Sequence, residues 1–359
     1  MKGDLAAIAP EPMEGHGAYN RGSRVQAAGL SPALPLLAEA AGRVPLTAGP
    51  EPIVIADYGA SEGKNSLLPM RAAIAALRAR VGAARAISVI HTDRPSNDFA
   101  SLFETVSGPE GYLAGDPAVF AFAVGRTFYE QILPAESVTL GWSSWAVQWL
   151  SRVPGPIPDH VQAAYSRDPA ARALYAGQAA EDWRQFLLHR GHELRPGGRL
   201  VIITMALDEE GGFGYRPLLE AINAALMDMV ADGSVRADEA LRMAIPTMSR
   251  SRADFMAPFA ANGRFAGLAI ETLEMFHGED RLWTEFERSQ DAGAFGAGWA
   301  SFMRAAVART LAAELDGGHE DPRAAAFIDR MESGVARRME AAPEQLVIPL
   351  AKMTLVKEG

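Results

Sequence analysis

An apolar run that ends at an acid and a small-residue turn is the part of this sequence best suited to ligand chemistry. Residues 53–66 read IVIADYGASEGKNS, so that Asp57 and Gly59 follow a strand-like run of Ile, Val and Ala. Buried parallel strands have such continuous apolar sequences, and glycine lets the backbone approach a ligand at the carboxyl end of a strand. The stretch therefore predicts a nucleotide-binding loop.

The spacing of the glycines narrows the choice of loop. The dinucleotide fingerprint G-x-G-x-x-G requires a glycine where this chain has Ser61. A Walker loop requires four residues between its glycines and Ser or Thr after the Lys, whereas three residues separate Gly59 from Gly63 and Asn65 follows Lys64. The form that remains, Asp-x-Gly-x-x-x-Gly, resembles motif I of class I methyltransferases, whose turn holds the amino-acid end of S-adenosylmethionine. A plain glycine turn is the alternative explanation.

A second acid and a later Pro-Gly turn favour the methyltransferase interpretation. Residues 86–93 form another apolar run that ends at Asp93, a carboxylate able to accept hydrogen bonds from both ribose hydroxyls; the alternative is an ordinary strand-end turn aspartate. Residues 194–198 read LRPGG before the apolar run 199–204, a pattern that also resembles class I methyltransferases. The three features in this order predict an α/β protein with the Rossmann-like class I methyltransferase fold.

Composition and charge exclude several classes of partner. The 359 residues are 48% apolar, enough for a large core, and carry a net charge of −10 without any block of Lys or Arg. We therefore expect no nucleic acid and no membrane among the partners. The chain has no cysteine, which excludes disulfides and a cysteine nucleophile and fits a reducing compartment. The predicted location is the cytoplasm.

Apolar runs that alternate with helical stretches predict a mostly parallel sheet with a helical cap. Strands are expected at 53–57, 87–92, 137–142 and 199–205, with a last pair within 345–357, and helices at 34–41, 218–230 and 301–315. The predicted segments are 1–50, which covers substrate and cofactor; 51–210, the Rossmann-like core; 211–340, a mainly helical cap; and 341–359, strands that complete the sheet.

Four longer motifs carry a more specific resemblance. Residues 13–26 read MEGHGAYNRGSRVQ, residues 92–99 read TDRPSNDF, and residues 127–129 read TFY. Residues 143–154 read SSWAVQWLSRVP, which matches the pattern S-S-Y-S-x-x-W-L-S-x-V-P closely. With the turn at Asp57, these motifs resemble the SABATH family of carboxyl and N-methyltransferases, known mainly from plants and including enzymes for salicylate, jasmonate and indole-acetate. We expect a bacterial member of that family.

The resemblance implies contacts for S-adenosylmethionine and for a substrate. The implied cofactor-binding residues are Tyr19, Asp57, Gly59, Ala60, Asn65, Asp93, Arg94, Thr127 and Phe128, with Asp93 on the ribose. The implied substrate-facing residues are Gln26, Trp145, Gln148, Trp149, Leu219, Met248 and Met303. Gln26 and Trp149 are the predicted catalytic pair, because an amide N–H and an indole N–H can grip one carboxylate and aim its oxygen. Without the motifs, Gln26 would be interpreted as a surface amide and Trp149 as a core aromatic.

The implied reaction converts a small, largely apolar carboxylic acid to its methyl ester by direct SN2 transfer. Such an acid is ionised near neutral pH, so its attack needs alignment and exclusion of water but no general base. Two alternatives stay open: N-methylation of a small heterocycle, in which Gln148 could accept or orient the N–H, and a non-catalytic S-adenosylmethionine-binding module. A second copy of the chain, as a homodimer, is the other partner considered.

Two departures from the family pattern bear on metal and substrate. The regions that supply Asn or Asp ligands for Mg²⁺ in some members read GPIPDH at 155–160 and LRMAIP at 241–246, so no metal is predicted. Leu219 and Met248 occupy positions that are often aromatic in salicylate-type members, with Met303 as a flexible wall. Such walls favour bent or aliphatic acids over a flat benzoate.

Overall fold

Seven strands form one sheet in the order β3-β2-β1-β4-β5-β7-β6 in a computed structural model, which describes residues 29–359. The strands are β1 (Ile53–Tyr58), β2 (Ile87–Asp93), β3 (Val119–Gly125), β4 (Val138–Ser144), β5 (Leu194–Met205), β6 (Leu268–His277) and β7 (Pro349–Lys357). Strands β1 to β5 pair in parallel, and β7 is antiparallel to both β5 and β6. The mostly parallel sheet predicted from the sequence is confirmed.

Helices flank the sheet and continue into a layer beyond it. They are α1 (Leu34–Arg43), α2 (Leu67–Val81), α3 (Phe99–Ser107), α4 (Pro169–Glu193), α5 (Arg216–Ala231), α6 (Ala237–Arg242), α7 (Arg252–Met256), α8 (Arg281–Ser289), α9 (Ala292–Met303), α10 (Arg309–Ala312) and α11 (Ala324–Ala341). A π-helix, Arg304–Ala308, joins α9 to α10. Among the described residues, no helix has the length and apolar character needed to cross a membrane.

Burial on both faces explains why the central strands have continuous apolar sequences. On β1, Ile53 and Ile55 pack into the larger apolar core, whereas Ala56 and Tyr58 pack into a second core on the opposite face. On β5, Val201 and Ile203 join the first core and Leu200 and Ile202 join the second. Since successive side chains of a strand point to opposite faces, a strand covered on both sides is apolar at almost every position.

The sequence interpretation missed the two edge strands, β3 and β6. Phe120 and Phe122 of β3 are 49% and 50% exposed, and β6 contains Glu271 and Glu274, so neither strand is a fully buried apolar run. The prediction of a pair of strands within 345–357 is wrong, because that stretch forms only β7. Its outer partner is β6, which lies inside the 211–340 range predicted as mainly helical.

Candidate active site

The turn after β1 lies at the carboxyl edge of the sheet, where the strand order reverses between β1 and β4. Gly59 adopts a φ of +88°, and a Cβ at this position would lie 2.5 Å from the Cβ of Ala146. Only glycine fits there without a shift of the backbone. The amides of Gly59 and Ala60 both donate to the carbonyl of Thr92, at 2.9 and 3.1 Å. Ligands of open α/β sheets bind at such an edge.

Asp93 ends β2 beside this turn and is half-buried. Its Oδ2 accepts a hydrogen bond from the amide of Ser61 at 2.7 Å, and its Oδ1 accepts one from the amide of Arg94 at 2.8 Å. Burial raises the pKa of the Asp93 carboxyl above its usual range. A carboxylate offers about four acceptor positions, so Asp93 has capacity left for a vicinal diol such as the ribose of S-adenosylmethionine.

Asp57 is buried beneath the turn, with 2% of its surface exposed. Its Oδ2 accepts a hydrogen bond from the hydroxyl of Ser66 at 2.5 Å and lies 2.8 Å from Nδ1 of His91. Nε2 of His91 lies 2.7 Å from the hydroxyl of Tyr112. Asp57 therefore joins β1, β2 and the start of α2 from inside the core. These bonds give the carboxylate a supporting role beneath the turn, and its contact with the cofactor stays a prediction.

The loop after β3 forms the other wall of the crevice. The Cε1 atom of Phe128 lies 3.6 Å from the position that a Cβ on Gly59 would take. The ring of Phe128 meets the ring of Tyr129 edge-on, with centroids 4.7 Å apart. The predicted cofactor-binding residues at or just after the carboxyl ends of β1, β2 and β3 are Gly59, Ala60, Asn65, Asp93, Arg94, Thr127 and Phe128. Tyr19 lies outside the described residues.

A cavity lies beyond β4 and β5 and under the cap helices. Five predicted substrate-facing residues line it: Trp145, Gln148, Trp149, Leu219 and Met303. Sequence reasoning missed several others, among them Tyr215, Ile222, Ile245, Thr247, Phe302 and Val307. Ile222 lies on the apolar stripe of α5, and that periodicity was the only available signal. The walls are predominantly apolar, so the cavity suits an apolar ligand.

Met248 is a correction to the predicted lining. It packs against the small apolar cluster that contains Leu150 and Tyr175, whereas the preceding residue, Thr247, lines the cavity. Thr247 also forms an isolated antiparallel bridge with Trp149. Because neighbouring side chains of an extended segment point to opposite sides, only one residue of the pair can face the cavity.

Three of the polar side chains that line the cavity, Trp145, Gln148 and Trp149, come from the loop that follows β4. Trp145 has a φ of +53° and donates its amide hydrogen to the carbonyl of Ile203 at 2.9 Å. The indole of Trp145 is 7% exposed, and its Nε1 has no hydrogen-bond partner among the described residues. Trp149 is half-buried, and the hydroxyl of Tyr129 donates to its backbone carbonyl. Two indoles are thereby oriented toward one cavity.

The side chain of Gln148 is held at both ends of its amide. Its Nε2 donates to the carbonyl of Trp145 at 2.7 Å, and its Oε1 accepts a hydrogen bond from the hydroxyl of Thr204 at 2.9 Å. A backbone carbonyl can only accept, so the amide nitrogen must face Trp145 and the amide oxygen must face Thr204. Gln148 therefore has one N–H hydrogen left to present to a ligand.

The predicted catalytic residue Gln26 lies outside the described residues, which begin at Gly29 beside the indole of Trp145. A Cβ on Gly29 would lie 2.4 Å from Cζ2 of Trp145. This close approach places the backbone of Gly29 directly against the indole.

Asp159, the acid nearest the expected metal-ligand region, is occupied by its own loop. It accepts hydrogen bonds from the hydroxyl of Ser166 at 2.5 Å and from the amide of Arg167 at 2.9 Å. The bond from Ser166 contributes most to lowering the pKa of Asp159 to about 2. Within residues 29–359, no group of three or more His, Cys, Asp or Glu side chains is arranged to hold a metal ion.

Comparison with known proteins assigns this arrangement to one family. A family model for S-adenosylmethionine-dependent carboxyl methyltransferases matches residues 11–353. Methyltransferase LUC1 of Fusarium sp is 33% identical over 258 residues, covering 70% of this chain and 67% of the relative. Indole-3-acetate O-methyltransferase 1 of Arabidopsis thaliana is 28% identical over 350 residues, covering 88% of this chain and 89% of the relative.

A solved structure gives the same fold. Loganic acid methyltransferase with SAH superposes with a TM-score of 0.76 at 21% sequence identity, covering 97% of this chain and 99% of that chain. The helical cap over the mostly parallel sheet is therefore shared along nearly the whole chain. The two relatives named above come from a fungus and a plant, so they lend no support to the expected bacterial origin.

Proposed function

The chain belongs to the S-adenosylmethionine-dependent carboxyl methyltransferase family, and we propose that its substrate is a medium-sized, largely apolar monocarboxylic acid. The observation that carries this proposal is the cavity, whose walls are predominantly apolar and include the N–H-bearing side chains of Trp145, Gln148 and Trp149. An apolar body would bury its surface against the cap, and its carboxylate would meet N–H donors at one end. The Arabidopsis relative is named for indole-3-acetate, an acid of this class.

The fixed amide of Gln148 favours O-methylation over N-methylation. A heterocyclic N–H would need an acceptor, and the hydroxyl hydrogen of Thr204 already takes one of the two lone pairs on Oε1 of Gln148. The N–H that remains suits a carboxylate, which only accepts. This polarity supports a carboxylic acid as the substrate.

The protein contributes to the reaction by aligning the substrate and by excluding water from the site. Trp149 and Gln26 are proposed to donate to the carboxylate, and the apolar walls exclude water that would compete for those donors. Bound S-adenosylmethionine supplies the methyl group, so that an O–C bond forms as the S–C bond breaks and leaves the methyl ester and S-adenosylhomocysteine. The acid reaches the site already ionised, so no residue has to remove a proton.

To test this proposal, the purified enzyme is incubated with labelled S-adenosylmethionine and a panel of apolar acids and nitrogen heterocycles. The products are identified by mass spectrometry. Treatment with alkali separates the two chemistries, because a methyl ester is hydrolysed and an N-methyl group is retained. We expect alkali-labile products from aryl-alkanoic and medium-chain acids. An alkali-stable product from a heterocycle would contradict the proposal. Binding of S-adenosylhomocysteine without turnover of any compound would instead favour the non-catalytic alternative.

A further inference from the structure

A buried ion pair at the end of α4 lies outside both the crevice and the cavity. The side chains of Arg190 and Glu193 are both 0% exposed, and Nη2 of Arg190 lies 2.8 Å from Oε1 of Glu193. Withdrawing two charges from water is costly unless their other hydrogen-bonding positions are also filled. The groups that fill those positions show what the pair holds in place.

Arg190 grips the loop after β3 by its backbone carbonyls. Its Nη1 donates to the carbonyl of Phe128 at 2.6 Å, and its Nη2 donates to the carbonyl of Glu130 at 2.9 Å. Its Nε donates to Oε2 of Glu193 at 2.9 Å. The planar guanidinium also lies 4.4 Å from the ring centroid of Tyr58. One side chain therefore bonds two carbonyls of the loop and covers the last residue of β1.

Glu193 grips the same loop by its backbone amides. Its Oε1 accepts hydrogen bonds from the amides of Ile132 and Leu133, at 2.6 and 3.1 Å. Its Oε2 accepts a hydrogen bond from the hydroxyl of Tyr58 at 2.8 Å. With the two bonds from Arg190, five donors converge on one carboxylate. The bonds join β1, α4 and the loop.

Both walls of the cofactor crevice are attached to this pair. The loop carries Phe128, which lies over the turn, and Tyr58 directly precedes Gly59 in that turn. We propose that the Arg190–Glu193 pair is a positioning unit, which fixes the loop after β3 against the glycine turn and thereby sets the affinity for the cofactor. Both side chains are fully buried, which leaves neither exposed to a ligand in the crevice. Their effect passes through the backbone of residues 128–133.

The first test is Arg190→Lys, which keeps the charge but loses the planar fork that reaches the loop carbonyls. We expect the Kd of S-adenosylhomocysteine, measured by calorimetry, to rise by roughly tenfold, because ordering the loop becomes part of the cost of binding. The kcat at saturating S-adenosylmethionine should stay within about twofold of wild type, since the bound state is the same.

A matched control comes from a second Arg–Glu pair away from the crevice. Arg199 of β5 donates to Glu271 of β6 at 2.7 and 2.9 Å and is mostly buried. Arg199→Lys should lower the Tm, as Arg190→Lys does, but should leave the Kd of S-adenosylhomocysteine unchanged. An equal loss of affinity in both variants would reduce the Arg190 effect to general destabilisation and overturn the proposal.

Two further variants keep the test decisive if Arg190→Lys folds poorly. Tyr58→Phe removes only the hydroxyl that bonds Glu193 and should raise the Kd by roughly twofold to threefold. In a Phe128→Ala background, Arg190→Lys should add little to the Kd, because the pair acts through that loop. An unchanged Kd in Tyr58→Phe, or fully additive effects in the double variant, would overturn the proposal. Binding is measured without an acid, so either result leaves the proposed substrate class untouched.

Discussion

The two ligand sites of this enzyme are built in opposite ways. Around the glycine turn, charged and polar side chains such as Asp57, Asp93 and Arg190 are fixed by short hydrogen bonds to backbone and side chains. The cavity under the cap is lined mainly by Leu, Ile, Phe and Met side chains, and the π-helix Arg304–Ala308 forms part of its wall. Directional bonds specify one ligand, whereas apolar walls adapt to several.

The difference follows from what each site must recognise. S-adenosylmethionine is the same molecule for every carboxyl methyltransferase. Acceptors in fixed positions therefore match its hydroxyl groups whichever acid is methylated. The acids differ in shape and share only the carboxylate. A few N–H donors at one end of the cavity can therefore recognise the carboxylate, while the apolar side chains around the rest of the cavity can vary. Substitutions in the crevice should therefore cause large, substrate-independent losses, and substitutions in the cavity should change selectivity.

The largest effect is expected from Asp93→Ala. The variant removes up to two charge-assisted hydrogen bonds to the ribose, each worth about 1.5–3 kcal/mol at most, and it also releases the amides of Ser61 and Arg94. We expect the affinity for S-adenosylhomocysteine to fall on the order of 100-fold. Calorimetry measures it directly, and an unchanged affinity would remove the ribose assignment.

The charge of Asp93 gives the same assignment a pH signature. The ionised carboxylate is the acceptor, and burial raises the pKa of this group. Affinity should therefore be full above the raised pKa and decline as the pH falls through it, at a higher pH than for an ordinary aspartate. Asp93→Asn serves as the control, because its amide does not titrate in this range and its weaker binding should lack the decline.

The next effect is expected from Trp149→Phe, which keeps ring area and loses one N–H donor. We expect kcat/KM for the best acid to fall, by an amount equivalent to a loss of about 1–3 kcal/mol of transition-state stabilisation. Gln26→Leu should act similarly. Trp142→Phe is a matched control, because Trp142 is a fully buried core residue whose Nε1 lacks a partner among the described residues. It should alter stability alone. Wild-type kcat/KM in both Trp149→Phe and Gln26→Leu would refute the donor pair.

A smaller effect is expected on the choice of acid. Leu219 and Met303 offer adaptable walls without the ring stacking that favours a flat benzoate, a difference of about 0.5–1.5 kcal/mol per ring pair. Phenyl-alkanoic and medium-chain acids should be methylated faster than salicylate when they compete in one reaction. Leu219→Phe should shift the balance toward salicylate. If the wild type prefers salicylate by tenfold or more, the adaptable-wall interpretation is wrong while the methyltransferase activity stands.

The smallest expected effect is that of a chelator. The regions expected to bind Mg²⁺ lack the family's ligands, and Asp159 is held by Ser166 and Arg167. EDTA should leave the rate unchanged, measured by product formation with and without added Mg²⁺. A rate that collapses with chelator and returns with Mg²⁺ would identify a metal dependence and direct attention to Asp159 or a neighbouring carboxylate.

The sequence predicts most reliably what depends on local pattern. β1 and β5 are continuous apolar runs because both of their faces are covered, and Asp93 is the last residue of its strand. The edge strands β3 and β6 lack that signal. Asp57 and Asp93 look alike as strand-end acids, and only the packing of His91 and Ser66 shows that Asp57 belongs to the core.

Contacts between distant parts of the chain could not be predicted. Met248 and Thr247 have neighbouring positions in the chain, and only the path of the backbone decides which one faces the cavity. Arg190 and Glu193 look like surface charges near the end of a helix, because the loop that surrounds them comes about 60 residues earlier in the sequence. Long-range burial of polar groups leaves no periodic trace.

The position of β7 in the sheet has a consequence for biosynthesis. The backbones of β5 and β6 do not pair with each other, since β7 lies between them, yet β7 is the last of the seven strands to be translated. Until residues 349–357 emerge from the ribosome, β5 and β6 both have open edges that can pair with other chains. The most non-local pairing in the sheet thus completes folding last, which makes slow maturation and dependence on chaperones the expected behaviour of newly made chains.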